Sequence, residues 1–134
     1  MKVIVDTSVW SLALRRNKPV SDLVTARLAR VIAAGRVILP GVIRQEVLSG
    51  IRDKNAYTQL RGKLGAFPDY PLNVEDYETA AEFFNTCRGK GMQGANTDFL
   101  ICAIANLHNC MILTTDNDFK LFAKYIPVAL LDDV

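Results

Sequence analysis

Four acidic residues stand where the chain could do chemistry with them: Asp6, Glu46, Asp98 and Asp116, with Asp118 two positions beyond the last. Asp6 closes the apolar run Val3-Ile4-Val5, and Asp116 follows Met111-Ile112-Leu113-Thr114-Thr115. Glu46 lies shortly after Val37-Ile38-Leu39, and Asp98 directly precedes Phe99-Leu100-Ile101-Cys102-Ala103-Ile104-Ala105. Taken singly, each has an ordinary structural reading. Asp6 and Asp116 can initiate turns or cap helices, Asp98 suits the positive end of a helix dipole, and Glu46 can point to solvent. Taken together, carboxylates gathered on one rim disfavour one another's ionisation and destabilise the fold unless a cation sits among them. Oxygen donors without a suitable His or Cys select hard divalent ions, here Mg²⁺ or Mn²⁺. Thr7, Ser8 and Thr114 are hydroxyl neighbours able to orient ligands or water, with helix N-capping the structural alternative for Thr7 and Ser8.

Whether those carboxylates meet depends on the elements that carry them. Lys2–Val5 is β-branched and short, as expected of a buried strand. Thr7 and Ser8 provide N-cap hydroxyls for a helix over 9–16, which Asn17-Lys18-Pro19 breaks. Ser21 opens a second helix in which Leu23, Val24, Leu28, Val31 and Ile32 recur at helical spacing, and Gly35 ends it. Val37–Leu39 is a second strand, Pro40 and Gly41 start a helix that stops at Gly50, and a polar helix covers 53–64. Two prolines make 66–72 extended. A helix starting near Glu75 buries Tyr77, Ala80, Ala81 and Phe84, and the glycine-rich stretch 88–95 is a loop. Asn96 to Ala105 is a helix apolar nearly all round and therefore buried. Met111–Thr114 is a strand, 117–124 a short helix, and Val128–Leu131 a last strand. Strands alternating with helices imply a parallel sheet covered on both faces, a three-layer α/β/α sandwich, with 1–134 forming a single domain. In such sheets ligands bind outside the carboxyl ends of the strands, which is where Asp6 and Asp116 fall and where Glu46 and Asp98 can reach.

Composition narrows the field. The chain has 134 residues, half of them hydrophobic, and 22% charged, as expected of one folded domain. No apolar run approaches the roughly eighteen residues that cross a bilayer, and Asp6 interrupts the N-terminal apolar run too early for a secretory signal, so a cytoplasmic location is expected. Cys87, Cys102 and Cys110 form no CxxC pair, which argues against a disulfide framework or a zinc site. A formal net charge of +2 announces no nucleic-acid partner by itself. Within 44–63, however, Arg44, Arg52, Lys54, Arg61 and Lys63 face only Glu46 and Asp53, a stretch that suits either phosphate contacts or a solvated helix face.

Four segments, in order, resemble the PIN-domain family, and in particular the VapC-type toxins of bacterial and archaeal toxin–antitoxin pairs. Val3-Ile4-Val5-Asp6-Thr7-Ser8 is similar to the family's first strand and first acidic residue. Pro40 to Gly50 is similar to its second acidic motif, with Glu46 in the acidic position. Asn96 to Ala105 is similar to its third, with Asp98, and Thr114-Thr115-Asp116-Asn117-Asp118-Phe119 to its closing T-x-D-x-D-F element. The resemblance spans essentially the whole chain. It implies a metal-dependent endoribonuclease acting on RNA, usually a homodimer, silenced by a cognate antitoxin whose tail occupies the acidic groove. Asp6, Glu46, Asp98 and Asp116 would then be the catalytic and metal-binding residues, with Asp118 a further metal contact whose role varies more across the family.

Other readings fit the residues less well. A phosphoacceptor receiver domain has a similar size and sheet, but it needs an acidic pair beside the first strand and a lysine after a late one. Here Thr7-Ser8 follows Asp6, and Asp132-Asp133 follows the last strand. A haloacid-dehalogenase-type phosphatase needs an acidic residue where Ser8 stands. A PIN fold that binds RNA or a partner without cleaving stays open. His108 is the lone histidine, and neither Ser11 nor Ser49 has a G-x-S-x-G context, so a hydrolase triad is not indicated. Gly89-Lys90-Gly91 lacks the spacing of a phosphate-binding P-loop. His108 reads as a capping or surface residue, and Trp10 either packs or stacks on a base.

Overall fold

Val3, Ile4 and Val5 are completely buried, although successive strand residues point to opposite faces of a sheet, so both faces of this strand are covered. In the computed structural model, which describes residues 1–14 and 23–131, this segment is β1 (Lys2–Val5), the central strand of a parallel sheet of order β2-β1-β3. The neighbours are β2 (Val37–Ile38) and β3 (Cys110–Leu113), with Val3 opposite Val37 and Met111, and Val5 opposite Leu113. Helices α1 (Thr7–Ala13) and α2 (Leu23–Ala33) lie between β1 and β2 in the chain. Between β2 and β3 come α3 (Gly41–Leu48), α4 (Lys54–Leu64), α5 (Val74–Gly89) and α6 (Asn96–Leu107), and α7 (Asp118–Phe122) follows β3. Helix α6 packs on β1 and β3 and is itself backed by α5, while α1 packs against α2 and α3. Phe99, Ile101 and Ile104 of α6, Ile112 and Leu113 of β3, and Phe119 and Phe122 of α7 join β1 in one core. No helix among the described residues is long and apolar enough to cross a membrane.

Several expected boundaries move, each for a physical reason. Thr7 and Ser8 do not cap α1: Asp6 occupies the N-cap position, no side chain caps the helix, and both hydroxyls lie inside its first turn. Their donors go to carboxylates, as described below. The expected strand 128–131 shrinks to a parallel bridge between Leu130 and Ile112. Pro127 has no N–H to give, and the Val128 N–H is spent on Ile126 O in a turn, which removes both from the ladder. Helix α5 starts at Val74, beside the expected Glu75, but runs past its expected end. Asn73 and Asp76 form a reciprocal capping box at its start, and Arg88 and Gly89 continue it into the stretch read as a loop. The break at Asn17–Pro19, the cap at Ser21 and the end of the first helix at Arg16 lie outside the described residues.

Most of the other punctuation behaves as read. Gly35 takes a φ of +67° at the end of α2, a left-handed turn suited to glycine. Asp53 caps α4 by accepting from Ala56 N at 2.9 Å. Of the stretch expected to be extended, Ala66 and Phe67 instead turn back on the end of α4, their N–H groups donating to Lys63 O and Leu64 O, and Asp69 is bridged to Leu39. Gly94, just before α6, is required by close approach: a Cβ there would lie 2.8 Å from Phe122 Cζ and 2.9 Å from Phe99 Cε2. All three cysteines are free and buried. Burial, followed by the nearby charge of Asp98, pushes the Cys102 thiol far above its ordinary pKa, so it packs as a small apolar group. Trp10 is likewise a core residue, edge-on to Phe67 at 5.5 Å between ring centroids.

Candidate active site

Parallel pairing of β1 with β3 sends both strands out at the same edge of the sheet, so Asp6 and the 114–116 turn emerge side by side. Hydrogen bonds then connect them. Thr114 Oγ1 donates to Asp6 Oδ2 at 2.8 Å, and Ser8 Oγ donates to the same oxygen at 2.7 Å. Thr114 Oγ1 also accepts from the Asp116 N–H at 3.0 Å, and Ser8 Oγ accepts from the Thr115 N–H at 3.2 Å. Asp6 is only 6% exposed, so these two hydroxyls replace much of its lost hydration. On the other side, Thr7 Oγ1 donates to Glu46 Oε1 at 2.7 Å and fixes the carboxylate of α3 beside the start of α1. The three hydroxyl residues thus hold carboxylates in place.

Asp98 completes the group from α6. It lies in the first turn, where its Oδ2 accepts from the Ala95 N–H at 3.1 Å, so the helix-start role and a place at the rim coexist. Its pKa is raised above the ordinary 3.8, first by burial and then by the charges of Asp6, Asp116 and Glu46, while the Ala95 hydrogen bond opposes the rise. Three carboxylates from β1, α3 and the β3–α7 turn therefore act on Asp98 at once, and the four expected residues do converge. Asp116 has also kept its turn role: its Oδ1 accepts from the Asp118 N–H at 2.9 Å. Asp118 itself is exposed and is not among the carboxylates whose charge raises Asp98.

None of these carboxylates forms an ion pair with a protein cation among the described residues. Among the described residues the one side-chain ion pair is His108 Nε2 to Asp76 Oδ1, at 2.7 Å, away from this edge. Uncompensated carboxylates in mutual repulsion, with hydroxyl and backbone partners and no thiol or imidazole, are a donor set for a hard divalent cation. As placed, no three of them stand close enough to enclose one ion directly. Mg²⁺ takes few protein carboxylates and retains much of its water shell, so such a donor set would hold it in part through water.

Sequence reasoning missed or misjudged several residues. Arg44 does not face phosphate: Nη1 donates to Leu64 O at 2.9 Å and Nη2 to Phe67 O at 2.7 Å, clamping the end of α4. Arg52, Lys54, Arg61 and Lys63 are exposed. His108 sits at the C-cap of α6 as expected, but its imidazole reaches the fully buried Asp76, a contact that spacing does not reveal. A recess of about 480 Å³ beside Glu46 is lined by Thr7, Val42, Gln45, Ser49 and Thr97. A second of similar volume continues from Val42 and Thr97 along Tyr77, Ala81 and Phe84. The apolar spacing of α5 marked Tyr77 and Phe84 for burial, yet Tyr77 is 56% exposed at this groove.

The fold and this acidic edge define a class, and residues 3–125 match the family described as PIN domain. The chain belongs to the PIN-domain family. Among its relatives are "Ribonuclease VapC11" of Mycobacterium tuberculosis and "VapC ribonuclease Mb1587" of Mycobacterium bovis, each 32% identical over 127 residues, covering 91% of this chain and 92% of theirs. Solved structures share the fold at lower identity. VapBC2 from Rickettsia felis, bound to a DNA fragment from its promoter, superposes with a TM-score of 0.78 at 17% identity, covering 98% of each chain. FitAcB from Neisseria gonorrhoeae gives 0.76 at 19%, covering 97% and 96%.

Proposed function

We propose that this protein is a divalent-metal-dependent endoribonuclease and the toxin of a toxin–antitoxin pair. The observation that carries the reading is the gathering of Asp6, Glu46, Asp98 and Asp116 at one edge of the sheet, held by Thr114, Thr7 and the Ala95 N–H, in a chain 32% identical to a VapC ribonuclease. Asp6, Glu46, Asp98 and Asp116 would hold Mg²⁺ or Mn²⁺, in part through water, and Asp118 is an exposed further contact. The bound ion supplies an activated water and charge neutralisation at the phosphodiester. The chain's own contribution is position. Thr114 and Ser8 fix one oxygen of Asp6, Thr7 fixes Glu46, and the α6 N-terminus fixes Asp98. No protein nucleophile is required, and the described site offers no histidine or cysteine to act as one.

The VapC11 ribonuclease likeness points to RNA as substrate, and the VapBC2 and FitAcB likenesses to a cognate antitoxin. A homodimer and a cytoplasmic location belong to the same reading, as does 1–134 acting as one nuclease domain. The test is cleavage of a defined RNA by the purified protein in Mg²⁺ or Mn²⁺. Products are expected with metal and none in excess EDTA. Cleavage that survives chelation would refute the metal-dependent reading.

A further inference from the structure

Arg27 lies on the inward stripe of α2, three residues after Val24 and four before Val31. Its Nε is buried and has no hydrogen-bond partner among the described residues. A buried guanidinium N–H without an acceptor has lost its hydration uncompensated, so its place invites an acceptor from outside the chain. The hollow it lines holds about 280 Å³ and also carries Thr115, Asp116, Asn117 and Lys120. It therefore opens on the same edge as the carboxylates, with Asp116 forming part of its wall. Lys120 is exposed, and neither cation makes an ion pair among the described residues.

The geometry points to Arg27 and Lys120 as a subsite for a backbone phosphate of the RNA strand, next to the bond cleaved at the acidic edge. This rests on the ribonuclease reading. A planar guanidinium offers paired N–H groups matched to two phosphate oxygens, and an exposed ammonium adds a point charge. The Asp116 carboxylate in the same hollow repels a small free anion. A phosphate fixed within a strand tolerates that repulsion, because contacts elsewhere along the strand hold it there. The arrangement places cations for the strand beside Asp116, at the margin of the carboxylate edge. Arg27 and Lys120 would therefore set the direction in which RNA crosses the site. They act as positioning residues.

The test uses the full chain and a fluorescently labelled single-stranded RNA, with binding followed by anisotropy in EDTA at increasing salt and cleavage followed separately in Mn²⁺. Arg27→Met keeps an apolar stem and loses the charge, Arg27→Lys keeps the charge, and Lys120→Gln is a surface change that does not threaten folding. Each lost phosphate contact on a single strand should flatten the plot of log K against log salt by about 0.7. Arg27→Met and Lys120→Gln should each show that flattening, with KM raised several-fold and kcat little changed, and Arg27→Lys should restore the slope. Unchanged slopes in both neutral variants, with the fold intact by circular dichroism, would overturn the subsite while leaving cleavage by the wild type standing. Flattened slopes in Arg27→Met and Lys120→Gln, with a wild type that binds RNA but never cleaves it, would instead keep the subsite and reject the nuclease. Displacement of RNA by low millimolar inorganic phosphate would assign the hollow to a free anion and overturn the proposal.

Discussion

At the residue scale, Asp98 carries the sharpest expectations, because its charge is opposed by burial and by three neighbouring carboxylates. Asp98→Asn keeps an oxygen able to accept from the Ala95 N–H and removes the charge. Cleavage should fall by about 10²- to 10³-fold or more, measured as single-turnover rate in Mn²⁺, in keeping with several kcal/mol of transition-state stabilisation from a bound ion. The same substitution should have the opposite sign on stability without metal. A carboxyl whose folded pKa lies above its unfolded value holds its proton more tightly in the native state. Its favourable contribution is complete below the unfolded pKa and is lost as pH rises through the folded one. In EDTA, therefore, Tm of Asp98→Asn should gain on that of the wild type as pH is raised from about 4 towards 7, measured by thermal denaturation. A constant difference across that range would contradict the placement of Asp98. Thr114→Val should remove a donor from Asp6 and cost about 10- to 100-fold in metal affinity or activity, the usual effect of losing a residue that orients a ligand.

At the scale of elements, two joints are expected to be sensitive. Gly94→Ala would drive a methyl group into Phe122 and Phe99, and overpacking of this kind costs about 1–3 kcal/mol, visible as a lower urea midpoint. His108→Ala would leave Asp76 Oδ1 unpaired inside the protein, where Asp76 has no exposure, at a similar cost of about 1–3 kcal/mol. These joints also mark how far the sequence could be read. Apolar runs of β-branched residues announced β1 and β2, and the all-round apolar character of Phe99–Ala105 announced α6, because burial leaves a direct trace in composition. The capping box at Asn73 and the His108–Asp76 contact left no such trace, since they join polar residues whose partners are fixed only by the packed helices. Val128–Leu131 misled for the converse reason. Its β-branched and aliphatic character suits a strand, but Pro127 has no N–H and the Val128 N–H turns back to Ile126 O, so pairing is confined to the bridge at Leu130 and Ile112.

For the molecule as a whole, the residues of the acidic edge come from positions 6, 46, 98 and 116, and parallel strand exit brings them together. That convergence was anticipated from strand ends and helix starts alone. The hydroxyl links were half legible: Thr7, Ser8 and Thr114 stood beside the carboxylates in sequence, yet their choice of carboxylate over helix cap depended on α3 and β3 arriving beside them. Arg27 was overlooked because a lone arginine on an amphipathic helix reads as solvated until the hollow beside Asp116 is seen.

The most direct measurement is a Mn²⁺ titration of the wild type and Asp98→Asn, with occupancy read by calorimetry and RNA cleavage followed at each step. Cleavage in the wild type should rise in proportion to occupancy, and both should be lost together in Asp98→Asn. Undiminished cleavage by Asp98→Asn, or cleavage at zero occupancy in excess EDTA, would contradict a carboxylate edge that works through a divalent ion.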